Sequence, residues 1–141
     1  MFRARKIPSN EPLRRRSKRG QSYLQDGSGD GVYAQRYNAA SVAQGSEFLV
    51  NSYTTSYQGA PSIAMDADGG FVVVWESNQD GSSHGVYAQR YNDAGAPQGS
   101  EFQVNSYTTD FQFAASVAMD AAGDFVVAWQ SFNQDGSVLG V

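Results

Sequence analysis

Residues 62–75 read SIAMDADGGFVVVW, and residues 116–129 read SVAMDAAGDFVVAW. Each copy is a pair of short apolar runs split by a turn rich in Asp and Gly. That is the pattern of two antiparallel strands joined by a tight hairpin, in which glycine supplies a positive φ angle. The second copy starts 116 − 62 = 54 residues after the first.

The same offset holds outward from this hairpin. GVYAQRYN at 31–38 returns at 85–92, SEF at 46–48 returns at 100–102, and VNSYTT at 50–55 returns at 104–109. Aligned without gaps, 31–77 and 85–131 agree at 33 of 47 positions, so a duplication organises the chain. One inserted residue then moves NQDGS from 78–82 to 133–137, and QSYLQDGS at 21–28 aligns with QSFNQDGS at 130–137. The repeat region 21–141 therefore divides into a partial unit 21–30, units 31–84 and 85–139, and the start of a third unit at 140–141.

Each unit predicts four strands, at 31–38, 46–54, 61–66 and 71–77, with equivalents at 85–92, 100–108, 115–120 and 125–131. Gly-, Asp-, Asn- and Ser-rich stretches such as NAASVAQG and SNQDGSSH connect them. The expected fold is all-β: tandem four-stranded antiparallel repeats resembling propeller blades, with a β-sandwich as the alternative. Closing a ring takes at least four blades, roughly 200 residues, so the expectation is a fragment of a longer chain or one protomer of an assembled ring. Differences between the copies assign faces. Leu49 becomes Gln103 and Glu76 becomes Gln130, so those positions read as wet, and the alternate set Phe48, Val50, Phe71, Val73, Trp75, Phe102, Val104, Phe125, Val127 and Trp129 reads as core.

Charge separates the chain into two parts. Residues 1–20 hold eight basic side chains and one acid, whereas 21–141 hold two basic and thirteen acidic ones. The first part reads as a disordered basic tail and contains no apolar stretch of an export signal. The acidic remainder repels phosphate, which argues against nucleic acid as a partner of 21–141. No segment has the apolar length of a membrane span. Without cysteine there is no disulfide framework and no thiolate nucleophile.

Asp26, Asp30, Asp66 and Asp68 sit in DG-rich loops that could contribute oxygens to calcium. Asp68 becomes Ala122 in the second unit and Asp30 becomes His84, and Asp and Gly are what hairpin turns require, so turn chemistry is the preferred reading. Nearly every carboxylate has a twin 54 residues away, which favours scaffold over a catalytic site and gives the expectation that the chain is not an enzyme. His84, the single histidine, lies in a polar loop. With Tyr53 and Tyr107, which sit among hydroxyl-rich neighbours, it is a weak ligand-binding candidate. Arg36 and Arg90, the only basic residues after position 20, are each followed eleven residues later by Glu47 or Glu101. A hairpin pairing 36 with 47 and 90 with 101 would make cross-strand ion pairs. Tyr33, Tyr37, Tyr57 and Trp75 could form a sugar-stacking platform, although buried core is the plainer home for Trp75.

Taken in order, GVYAQRYN, EFxVNSYTT and FVVVWxSxxQDGS resemble a repeat of about fifty residues found in large secreted or surface-attached bacterial proteins. Those proteins often carry calcium-binding nonapeptide or cadherin-like modules elsewhere. The resemblance implies an extracellular or cell-surface, non-catalytic structural or adhesive array whose partners are further copies of the repeat and a surface glycan or protein. Two alternatives are a part of a propeller-type carbohydrate-active enzyme with its catalytic residues outside this chain, and a calcium-binding repeat module.

Overall fold

The computed structural model describes residues 21–23 and 29–136. The basic tail 1–20, Asp26 and the third-unit residues 140–141 lie outside them. The described residues form an all-β structure of three antiparallel sheets. The first sheet contains β1 (Gln21–Tyr23), β2 (Asp30–Ala34) and β3 (Phe48–Leu49), in that order. β4 (Gln58–Met65), β5 (Phe71–Ser77), β6 (Gly85–Tyr91) and β7 (Phe102–Gln103) make the second. The third is the hairpin of β8 (Gln112–Met119) and β9 (Phe125–Ser131). Each sequence unit is thus divided between sheets, and the four-stranded sheet joins the last two strands of the first unit to the first two of the second.

β5 occupies the middle of that sheet and is buried along its whole length. On one side Phe71, Val73 and Trp75 pack with Val32, Val50, Tyr87 and Tyr91. On the other, Val72, Val74 and Ala88 pack against Ala115, Val117 and Met119 of β8. Covering both faces explains the unbroken apolar run FVVVW, since each fully buried valine contributes about 1.5–3 kcal/mol. The turns follow the sequence reading: Asp66 Oδ1 accepts from the N–H groups of Asp68 and Gly70, and Gly69 takes a φ of 91°. Asp120 and Gly123 do the same in the second unit.

Four expectations are corrected. The predicted strands 46–54 and 100–108 shrink to two ladder residues each. The reason is a side chain: Asn51 Oδ1 accepts the Val32 N–H at 2.7 Å and Asn105 Oδ1 accepts the Val86 N–H at 2.7 Å, so an amide replaces the backbone ladder. Secondly, Phe102 is exposed, while Phe48, Val104, Phe125, Val127 and Trp129 are half-buried. Phe48 still packs on the cluster around Trp75, and Val104, Phe125 and Val127 on the one around Val72, each at its margin. Thirdly, Glu76, expected at a wet position, is buried, because β8 covers that face of β5. Finally, β2 and β3 pair Tyr33 with Leu49 and Ala34 with Phe48, then the chain slips so that Tyr37 bridges Ala43. That register places Arg36 beside Gln44, whose N–H it accepts at 2.8 Å, and not opposite Glu47.

Candidate functional site

Several of the differences between the copies fall where the units meet. Glu76 stands where the second unit has Gln130, His84 where the partial unit has Asp30, and Phe113 where the first unit has Gly59. Phe132 is the inserted residue. With Phe111, these residues line a cleft of about 540 Å3. These particular repeat-breaking residues are therefore gathered in one place.

The loop preceding β6 is tied to the next unit by the Gln112 N–H, which donates to the His84 carbonyl at 2.7 Å. The imidazole stacks on Tyr57, with centroids 4.8 Å apart and planes 13° apart, and meets Phe111 edge-on at 5.2 Å. Its Nδ1 lies 3.6 Å from Glu76 Oε2, an ion-pair distance longer than a direct hydrogen bond. The other carboxylate oxygen accepts the Ala114 N–H at 2.8 Å. That donor is aimed by a bulge in β8 between Phe113 and Ser116, where Ala114 takes a φ of 53°. A non-glycine residue in that region costs about 1–2 kcal/mol, and the surrounding strands hold it there. β4 repeats the device at Ala60, which also lines the cleft. Phenyl and imidazole faces with one carboxylate beside them suit a ligand with an apolar face and hydroxyl or cationic edges.

Other candidates lie elsewhere. Arg36 donates to the backbone carbonyls of Asp93 and Ala94, thereby clamping the second unit's first turn. Its twin Arg90 lies 5.7 Å from the Phe125 ring centre. Glu101 accepts from the Ser52 N–H at 2.7 Å and from Gln79 Nε2 at 3.0 Å, whereas Glu47 sits exposed ahead of β3. Tyr53 and Tyr107 offer their carbonyls to Asn51 and Asn105 and are respectively exposed and half-buried. Asp30 is an edge residue of β2 paired with Tyr23, and Asp68 is exposed in its turn. Among the described residues no three His, Cys, Asp or Glu side chains converge as metal ligands, and no helix is long and apolar enough to cross a membrane.

Burial pushes the Tyr91 phenol up to about 12, with the Glu101 charge adding to the shift. Tyr87 is raised by burial first and by Asp80 next. These rings belong to the core, not to the cleft. Sequence reasoning missed Glu76, Phe111, Phe113 and Phe132; the signal that could have found them is loss of identity between copies at positions flanking the unit junction. Compared with known protein families, curated proteins and solved structures, the chain matches none.

Proposed function

We propose that the chain is a non-catalytic structural and adhesive repeat module of a secreted or cell-surface protein, with its sheets acting as propeller-type blades and its unit junctions presenting ligand clefts. The observation that carries this reading is the duplicated use of polar side chains. Asn51 and Asn105, Gln58 and Gln112, and Asp66 and Asp120 each hydrogen-bond to backbone, and in both units they do so in the same way. The amides and carboxylates that the repeat preserves serve the scaffold, and the variable residues Glu76, His84, Phe111 and Phe113 fall together at a cleft.

A glycan is the ligand class this cleft fits best, because phenyl faces take the C–H face of a sugar ring and Glu76 and His84 offer polar edges to hydroxyls. The test is binding to a panel of immobilised glycans by the chain and by Phe111→Ala, with soluble reducing ends measured alongside. Binding to one glycan class that is lost in Phe111→Ala, with no release of reducing ends, is the expected result. Release of reducing ends would favour a carbohydrate-active enzyme, and no binding at all would remove the adhesive reading.

A further inference from the structure

Glutamine occupies the position of Glu76 in both other copies of this segment: Gln21 in the partial unit and Gln130 in the second full unit. The hydrogen bond that Glu76 makes is one a glutamine carbonyl can also make, because Oε1 accepts the Ala114 N–H at 2.8 Å. The fold therefore uses the acceptor and has no use for the charge. Glu76 is nevertheless only 7% exposed, and a carboxylate buried without a partner is costly. Its charge points to a counter-ion.

The described residues do not supply one within hydrogen-bond reach. Oε2 meets His84 Nδ1 at 3.6 Å, and the imidazole is held there by its stack on Tyr57 and its edge contact with Phe111. Arg36 and Arg90 are the only Arg or Lys side chains after residue 20. The first donates to the carbonyls of Asp93 and Ala94, and the second lies against the Phe125 ring. Glu76 lines the cleft of about 540 Å3 together with Phe111, Phe113 and Phe132, so its second oxygen is left for a ligand.

The rings narrow the class of that ligand. Aromatic faces beside a carboxylate attract a cation through the ring quadrupole as well as through the charge, and they also take an apolar C–H face. A sugar ring bearing a protonated amine presents both on one rigid body. A lysine side chain presents the ammonium on a flexible stem, whose ordering costs more entropy. Residues 21–141 carry thirteen acids against two bases, a field that draws cations toward the chain.

We propose that the cleft selects amino sugars with a free amine. Glu76 Oε2 binds the ammonium, Phe111 and Phe113 take the C–H face of the ring, and His84 meets a neighbouring hydroxyl. This rests on the reading of the cleft as a glycan site and adds the sugar class. N-acetylation abolishes the charge and leaves only a neutral amide N–H for Glu76, so the acetylated sugar binds more weakly. A junction that carries glutamine at this position lacks the selecting charge, so sugar preference is set junction by junction.

The test is calorimetric titration of the whole chain with a short chitosan oligomer and with the N-acetylated chitin oligomer of the same length. The chitosan oligomer should bind at least about tenfold more tightly, and Glu76→Gln should reduce that preference to about twofold or less, since a bond to a charged group exceeds a neutral one by roughly this factor. An unchanged urea midpoint in Glu76→Gln separates lost recognition from lost folding. Asp68→Ala removes an equal charge outside the cleft, a change that the second unit already makes at Ala122, and should leave the preference intact. If it lowers the preference as much as Glu76→Gln does, the oligomer is held by the acidic surface at large and the proposal is overturned. Equal binding of the two oligomers, or binding confined to uncharged glycans, overturns amine selection and leaves the glycan reading standing. Tighter binding of a lysine peptide than of the chitosan oligomer overturns the amino sugar as the ligand. Failure to bind any glycan overturns both readings together.

Discussion

β5 and β9 carry nearly the same letters, FVVVWES and FVVAWQS, and live in different environments. Every residue of β5 is buried, whereas β9 alternates between half-buried and exposed up to a buried Ser131. Sequence sets the inner face of both strands: Phe71, Val73 and Trp75 of β5, and Phe125 and Val127 of β9, turn toward the preceding sheet. Whether the outer face is wet or dry is decided by what packs next, and that is β8 for β5. The largest effect follows from this contrast. Trp75→Ala should cost about 3–5 kcal/mol of unfolding free energy, and Trp129→Ala about half of that, because relaxation and solvent access reduce the cavity penalty at a half-buried site. Urea denaturation of the two variants measures it, and equal losses would mean that β9 is as enclosed as β5.

The amides make the opposite point. Asn51 and Asn105 are both buried and both close the ladder to the first strand of their unit. Removing either leaves a strand N–H without its acceptor, at a cost of about 1–3 kcal/mol. Asn105→Ala should lose more than Asn51→Ala in the same denaturation experiment, by about 0.5–1.5 kcal/mol, because Asn105 Nδ2 also donates to the buried Gln112 Oε1 at 3.2 Å. Equal losses would show that this extra bond contributes nothing.

This separation between local and neighbour-dependent features also explains what could be read from the chain. The hairpins around Asp66 and Asp120 were legible because Asx turns and positive-φ glycines are local chemistry. The inner faces of β5 and β9 were legible through period two. The two-residue β3 and β7 were not, because VNSYTT has the β-branched and aromatic content of a strand while its Asn side chain takes over the pairing. Glu76 was misplaced for a different reason: a Glu-to-Gln change marks a polar contact as readily as a wet surface. Here the contact is a strained N–H in another sheet, a partner with no signature near Glu76 in sequence. The direct opposition of Arg36 and Glu47 failed on register: partners must sum to 83 for it, whereas Tyr33↔Leu49 and Ala34↔Phe48 sum to 82 and Tyr37↔Ala43 to 80.

A smaller effect contrasts Tyr91, sandwiched in the core, with its exposed twin Tyr37. The folded-state value for Tyr91 lies above the ordinary phenol value of 10.0, at about 12. Its contribution is therefore fully present below pH 10 and is lost as pH rises from 10 toward 12, because the unfolded chain releases the proton first. The loss should be about 1 kcal/mol once partial solvent screening is included. Tyr91→Phe should flatten this alkaline slope, leaving the weaker slope of Tyr87, in chemical denaturation measured from pH 9 to 11.5. An unchanged slope would place the responsible ionisation elsewhere.

The smallest effect tests whether Glu76 matters as a charge or as an acceptor. Its Oε1 holds the Ala114 N–H, and its Oε2 meets His84 only at 3.6 Å, with the imidazole partly exposed. Glutamine keeps the acceptor and removes the charge, and the second unit already carries Gln130 at the equivalent position. Glu76→Gln should therefore change stability by no more than about 0.5 kcal/mol, whereas Glu76→Ala, which orphans the bulge N–H, should cost about 1–3 kcal/mol. If the glutamine variant proved as damaging as the alanine one, the carboxylate charge would be the essential feature of the cleft. The difference between β5 and β9 would then lie in their own letters as well as in their neighbours.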